Sequence, residues 1–145
     1  MENLVKLITE KYRNFNNNNL LNFIEEIKNY NSSDWQKYKS KFPIQNCKNY
    51  KKQTIFLNKN FELILIKWDK NSESSNHNHP KNGCVLKVLD GKLLEERYYN
   101  NKIYKKSILN NNKVGYMHDN LGTHKIYALE ETYSLHLYSP PNFYK

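Results

Sequence analysis

Residues 77–91, His77-Asn78-His79-Pro80-Lys81-Asn82-Gly83-Cys84-Val85-Leu86-Lys87-Val88-Leu89-Asp90-Gly91, place a histidine pair just ahead of an apolar run that ends at a glycine. On a strand, residues i and i+2 point to the same face, so His77 and His79 can aim both imidazoles at one point. Two neutral imidazoles at that spacing form half of a metal site. Taken alone, the pair sits in the polar stretch SESSNHNHPKNG (72–83) and reads better as exposed histidines in a loop. The residues after the pair change the weighting. Four residues separate His79 from Cys84, and six more lead from Cys84 to a turn at Gly91.

On either side of this stretch the chain is rich in strand-forming residues. FELILIKW (61–68) and KLLEERYY (92–99) flank CVLKVL, and Asn100-Asn101 and Asn110–Asn112 punctuate two further short strands. Later candidates are VGYMH (114–118), HKIYAL (124–129) and YSLHLYS (133–139). Short strands separated by Gly and Asn turns, with no helix between them, predict an antiparallel sandwich or barrel. The first third of the chain reads instead at helical spacing. Leu4, Leu7, Ile8 and Tyr12 share a face with Val5 at its edge, and Leu20, Phe23, Ile24 and Ile27 repeat the pattern. The Asn16–Asn19 run between them is low-complexity and reads as a loop. Ser32-Ser33-Asp34 offers N-cap chemistry for a third, shorter helix near Trp35, Pro43 marks a break, and strand periodicity begins near Lys52. The expectation is one mainly β domain over 1–145, with short N-terminal α-helices over about 1–42 and a barrel over about 50–141.

Composition narrows the function classes. Among 145 residues the net charge is +9 and the sequence pI about 9.4, which raises nucleic acid as a partner. The charge is mostly Lys, dispersed and accompanied by abundant Asn, Tyr and Ile, and it forms neither a basic helix nor an Arg stripe. A solvated Lys-rich surface is the preferred reading, with no nucleic-acid partner. The two cysteines, Cys47 and Cys84, form no CxxC motif. The N-terminus carries Glu2 and Glu10 and lacks a long apolar region, and no run of 18 apolar residues occurs. A cytoplasmic, reducing location with no membrane association is expected, and a monomer.

All five histidines fall after residue 76. His124 follows Leu121-Gly122-Thr123, and His136 lies in Ser134-Leu135-His136-Leu137-Tyr138-Ser139-Pro140-Pro141. In a strand, Ser134, His136 and Tyr138 share one face while Leu135 and Leu137 take the other. A hydroxyl, an imidazole and a phenol in a row suit a relay that orients the Tyr138 oxygen, although a polar strand face with a satisfied histidine fits the segment equally well. His118 reads as a supporting or surface residue.

Together these segments resemble known families. The spacing from His77 to Gly91 matches the first motif of the cupins, jelly-roll β-barrels, except that Cys84 stands where most cupins carry a metal-binding Glu. Leu121–His124 resembles the second cupin motif, with Ala128 in place of its usual Asn. The combination of HxHxxxxC (His77 to Cys84), Gly122-Thr123-His124 and SLHLYSPP (134–141) closely resembles cysteine dioxygenase, a thiol dioxygenase. The resemblance implies one ferrous ion, Fe(2+), held by His77, His79 and His124, and a thioether crosslink between Cys84 and Tyr138 positioned by Ser134 and His136. The substrates it implies are a small thiol and O2, with L-cysteine giving cysteine sulfinic acid. Three neutral ligands would leave the metal its full charge, which favours an anionic thiolate. The plainer reading of Cys84 is a buried core cysteine.

One departure bears on the substrate. The family places an Arg shortly after a Tyr, where it pairs with the substrate carboxylate. The matching stretch here is Tyr50-Lys51-Lys52-Gln53, so Lys52 takes that position and, with a gap, Lys51 or Gln53 does. Lysine offers one point charge without the planar fork that fits a carboxylate. A dioxygenase for another thiol such as 3-mercaptopropionate is therefore the second reading, and a surface Lys pair the plain one. A non-catalytic metal-binding cupin is the third reading, and it has no need of Cys84, Tyr138 and their relay.

Overall fold

The structure, a computed structural model, describes residues 1–14, 19–42 and 50–144. Asn16–Asn18, Pro43 and Cys47 lie outside them.

Among the described residues two short helices come first, α1 (Glu2–Asn14) and α2 (Ile24–Asn29), followed by eight strands. These are β1 (Tyr50–Leu57), β2 (Glu62–Trp68), β3 (Cys84–Asp90), β4 (Lys92–Tyr99), β5 (Lys102–Asn110), β6 (Val114–Met117), β7 (Thr123–Ala128) and β8 (Thr132–Tyr138). They form two antiparallel sheets, ordered β1-β2-β8-β3-β6 and β5-β4-β7. The mainly β class and the helices-then-strands order match the sequence reading.

The helical segment is more broken than its periodicity suggests. Leu20–Phe23 is a 3-10 turn that runs into α2, and Asp34–Tyr38 is a second 3-10 turn where a helix was predicted. Ser33 makes no side-chain cap bond; the Ser32 hydroxyl instead accepts the Asp34 N–H at 3.1 Å. Four- and five-residue segments fix too few hydrogen bonds to sustain an α-helix unless packing does so. In α1 the buried stripe is Leu4, Ile8 and Tyr12, at i, i+4 and i+8, whereas Leu7 falls off it and is exposed.

Two apolar clusters divide along the pleat of the five-stranded sheet. Leu63, Leu65, Val85, Leu135 and Leu137 face the helices, where they meet Leu4, Ile8, Leu20, Phe23 and Ile27. The alternate residues Ile64, Ile66, Trp68, Cys84, Leu86 and Tyr138 face inward, against Leu93, Ile126 and Ala128 of the other sheet. Each fully buried aliphatic or aromatic side chain contributes about 1.5–3 kcal/mol. The helical layer explains why β8 is buried along its whole length although it alternates polar and apolar residues. With both faces covered, its polar face, Ser134, His136 and Tyr138, must look into the barrel.

Lys87, only 1% exposed, sits on the helix-facing side of β3. Its ammonium donates to the carbonyls of Lys28 (2.9 Å) and Tyr30 at the end of α2, which keeps the buried charge hydrogen-bonded and ties the helix to the sheet. Burial lowers its pKa.

Candidate metal centre and its pocket

The segment bearing His77 and His79 is irregular, touching β7 by isolated bridges at Glu73–Tyr127 and His77–His124. This departs from the strand geometry assumed for the pair. Pro80, which has no N–H, and Gly83, at φ 96°, interrupt any ladder here. Backbone bonds nevertheless lay the segment along β7: Ser74 N–H donates to Ile126 O (2.9 Å) and His77 N–H to His124 O (3.1 Å). Further on, Asn82 donates through Nδ2 to the Ser139 hydroxyl (2.9 Å), which also bonds to Tyr12 of α1 and donates to Asn60 O (2.7 Å).

His77, His79 and His124 converge, each with a ring nitrogen within 4.8 Å of the others. His77 Nδ1–H donates to Ser75 O (2.8 Å) and His124 Nδ1–H to Glu95 Oε2 (2.8 Å), so in both rings Nε2 carries the free lone pair. Those two Nε2 atoms stand 2.9 Å apart. Two donors at right angles on a metal with bonds of about 2.1 Å would stand about 3.0 Å apart. His79 is buried, and neither of its ring nitrogens makes a hydrogen bond. Its Nδ1 lies 3.4 Å from Asp119 Oδ1, which accepts the His79 backbone N–H at 2.8 Å, without forming a hydrogen bond to it. A buried imidazole with two orphaned nitrogens, facing two inward lone pairs, fits a cation held by three nitrogen donors.

Protonation favours the same use. Burial first, then the neighbouring imidazole of His124, pushes His77 down to about 4 and His79 to about 2, so both rings are neutral near neutral pH, the form that could ligate a cation.

The residue that aims His124 escaped the sequence reading. Glu95, 2% exposed on β4, accepts from His124 and from Arg97 Nε (2.9 Å), while Arg97 Nη2 donates to Tyr116 O (2.8 Å). Burial alone would raise its pKa, but the bonds and charges of His124 and Arg97 outweigh it and hold Glu95 ionised. A carboxylate behind a metal-facing histidine fixes its tautomer and orientation. The register that creates this arrangement, Glu95 opposite Ile126 and Arg97 opposite His124, is a β4–β7 pairing that sequence spacing does not reveal. Gly122, at φ 99°, is needed two residues before His124: a Cβ there would lie 1.9 Å from Tyr98 O.

Beside the three histidines, Cys84 and Tyr138 are opposite partners of β3 and β8, both buried. Burial, then Glu95, pushes the Cys84 thiol up, and burial, then Cys84, pushes the Tyr138 phenol well up, so both keep their protons. Behind Tyr138 runs the predicted relay. Trp68 Nε1–H donates to Ser134 Oγ (2.8 Å), Ser134 Oγ and His136 Nε2 are 2.7 Å apart, and His136 Nδ1 and Tyr138 OH are 3.1 Å apart. Burial, then Lys52, lowers the His136 pKa, so the ring is neutral with one donor and one acceptor. We assign the Ser134 proton to His136 Nε2 and the Nδ1–H to the Tyr138 oxygen, which leaves the phenol proton free to point into the pocket. Trp68 heads the relay and was not anticipated.

A cavity of about 300 Å³ opens over this arrangement, lined by His77, His124, His136, Tyr138, Tyr50 and Lys52 among others. Of the three candidates at the Arg position, Lys52 lines the cavity, opposite Ile66, while the neighbouring Gln53 turns its amide to Thr54 O (3.4 Å). His118 takes no part: Nε2–H donates to Lys81 O (2.9 Å) and Nδ1 accepts from Asn120 N–H (3.1 Å), capping the turn that carries Asp119. Ala128, in place of the motif's Asn, is buried in the inner core.

A family model described as "Cysteine dioxygenase type I" matches residues 2–144. The chain belongs to the cysteine dioxygenase type I family. Among curated proteins it is 36% identical over 94 residues to cysteine dioxygenase type 1 of Homo sapiens, covering 58% of this chain and 47% of that protein. It is 29% identical over 158 residues to cysteine dioxygenase type 1 of Danio rerio, covering 97% of this chain and 75% of that protein. In the human alignment the match spans about half the length of the relative. The fold is that of a cupin. Solved structures that resemble it include KdgF from Halomonas sp. (TM-score 0.60, 17% identity, 72% of this chain and 92% of that one). An RmlC-like cupin from Shewanella frigidimarina gives a TM-score of 0.59 at 17% identity, over 72% and 89%. No helix among the described residues is long and apolar enough to cross a membrane.

Proposed function

We propose that this chain is a non-haem iron thiol dioxygenase that oxidises L-cysteine with O2 to cysteine sulfinic acid. The observation that carries the reading is the convergence of His77, His79 and His124 beside the buried Cys84–Tyr138 pair, with a relay ending on the Tyr138 oxygen. A metal-storage or purely structural cupin needs the first of these and not the others.

His77 and His124 would hold Fe(2+) through Nε2, and His79 through a ring nitrogen. Bound there, iron would supply the redox chemistry that joins both atoms of O2 to a thiol sulfur. The chain's own residues do the rest. Glu95 fixes the His124 tautomer, His136 aims the Tyr138 hydroxyl into the pocket, and the Tyr138 proton is available to bound oxygen or to a substrate carboxylate. Lys52 supplies the positive charge for that carboxylate, with Tyr50 in the same wall. The Cys84–Tyr138 thioether would form by loss of the thiol proton and one ring hydrogen, with two electrons passing to O2. The role fits a cytoplasmic monomer of one domain acting in cysteine metabolism.

Lys52 favours a second reading, a dioxygenase for another carboxylated thiol such as 3-mercaptopropionate, because an ammonium does not select the bidentate geometry that a guanidinium does. Oxygen uptake by the iron-loaded protein with a thiol panel separates the two. Turnover of 3-mercaptopropionate with none of L-cysteine would replace the first reading by the second.

A further inference from the structure

We propose that Tyr144 is a specificity-determining residue, whose ring seats the Lys52 ammonium over the metal site and so makes the pocket prefer thiols that carry a carboxylate. The inference rests on the thiol-dioxygenase reading and goes beyond it to a residue outside all of the sequence motifs. Tyr144 lies six residues past Tyr138, where the chain turns back across the cavity it helps to line. Its ring meets His77 edge-on (centroids 5.5 Å apart, 87° between planes) and Tyr138 at 5.0 Å and 70°. Its hydroxyl donates to the carbonyl of Asn78, the residue between two of the clustered histidines, at 2.7 Å. The Lys52 ammonium stands 5.2 Å from the centre of the same ring.

These contacts address what Lys52 lacks. A lysine is a point charge on a flexible four-carbon stem, and its use as a carboxylate receptor depends on where the ammonium is held. An aromatic face within about 6 Å attracts an ammonium while leaving its N–H donors outward. One rigid side chain thus spans a metal-facing histidine, the phenol and the cation, so the ring fixes the distance between the charge and the metal centre.

L-cysteine and cysteamine differ only by the carboxylate, and so isolate the effect. The iron-loaded full chain and its Tyr144→Phe, Tyr144→Leu and Tyr144→Ala variants would be compared with both thiols, by oxygen uptake for kcat and KM and by anaerobic calorimetry for binding. The expected result is that Leu and Ala raise the KM and Kd for L-cysteine relative to cysteamine about fivefold or more, with a smaller change in kcat, while Phe keeps the wild-type ratio. An equal change for both thiols in the Leu variant, or a Phe variant as impaired as Leu, would overturn the role of the ring. Absence of turnover with any thiol, alongside the expected calorimetric pattern, would remove the dioxygenase reading and leave Tyr144 as stated. Normal turnover with an unchanged L-cysteine to cysteamine ratio in Leu would do the reverse. Should the Ala variant fail to fold, the Leu–Phe comparison decides alone.

Discussion

Cys84 and Tyr138 face each other directly across the β3–β8 pair, and both side chains point into the barrel beside the histidine cluster. Directly opposite residues of antiparallel strands have Cβ atoms about 4.5–5.5 Å apart, so a sulfur and a phenol ring are in reach without backbone movement. Burial keeps both protonated, so the thiol is a poor metal ligand.

Exposure to iron, O2 and thiol should therefore convert a fraction of the chains to a crosslinked form. Intact mass should fall by the two hydrogens lost, and a peptide joining Cys84 to Tyr138 should appear after digestion. Cys84→Ser and Tyr138→Phe should each abolish the species. Its persistence in either variant would place the link elsewhere.

Glu95 controls how firmly His124 presents Nε2. Glu95→Gln should weaken metal binding by about 10–100-fold, because the neutral amide neither accepts as strongly nor raises ring basicity. Metal titration under anaerobic conditions reads the change. Unaltered affinity would mean that the 2.8 Å bond to His124 is incidental.

The relay should behave as a unit. Trp68→Phe removes the donor to Ser134 and should cost about 1 kcal/mol of stability, since a buried hydroxyl loses one partner. Ser134→Ala or His136→Gln should lower kcat by up to about 10²-fold through misplacement of the Tyr138 oxygen. Combining the last two should cost little more than either alone, as residues sharing one hydrogen-bond chain are not additive. Fully additive losses would show that Ser134 and His136 act separately.

Acid should destabilise the metal-free protein early. His77, His79 and His136 all have pKa values lowered by burial, whereas in the unfolded chain they titrate near 6.5. As pH falls below about 6.5 the unfolded state binds protons that the folded state refuses, so unfolding free energy declines by up to about 1.4 kcal/mol per pH unit per histidine. The decline begins above the range of the carboxylates and continues toward about 4 for His77 and about 2 for His79. Denaturant melts between pH 6.5 and 5 measure the slope, and His136→Gln should make it shallower. A flat profile over that window would contradict the neutral, buried histidines.

Much of this site was legible in the sequence because its signals are local. Ser134, His136 and Tyr138 alternate along one strand, and strand periodicity of two carried the barrel. The His77–His79 pair, which alone read as loop histidines, was singled out by its resemblance to the cupin and cysteine dioxygenase motifs. Glu95, Trp68 and Tyr144 were not legible, since each reaches the site through a register or a chain return. Glu95 arrives by the β4–β7 pairing, Trp68 by its place opposite Thr132 on β8, and Tyr144 by the turn after Pro141. In the helical third, the apolar repeat from Leu20 to Ile27 and the cap chemistry of Ser32-Ser33-Asp34 read as helices, but segments this short fell into 3-10 turns at Leu20–Phe23 and Asp34–Tyr38. Leu7 shows the same limit: helical spacing allowed it on the buried face, and the narrow stripe of α1 left it outside.

The decisive measurement is turnover of the iron-loaded chain with L-cysteine, following oxygen uptake and sulfinate release together. A cysteine dioxygenase should consume one O2 for each cysteine sulfinic acid formed, with activity lost on chelation of the metal and in His77→Ala. Stoichiometric iron bound by the three histidines, with no oxygen uptake from L-cysteine or any other small thiol, would contradict that chemistry.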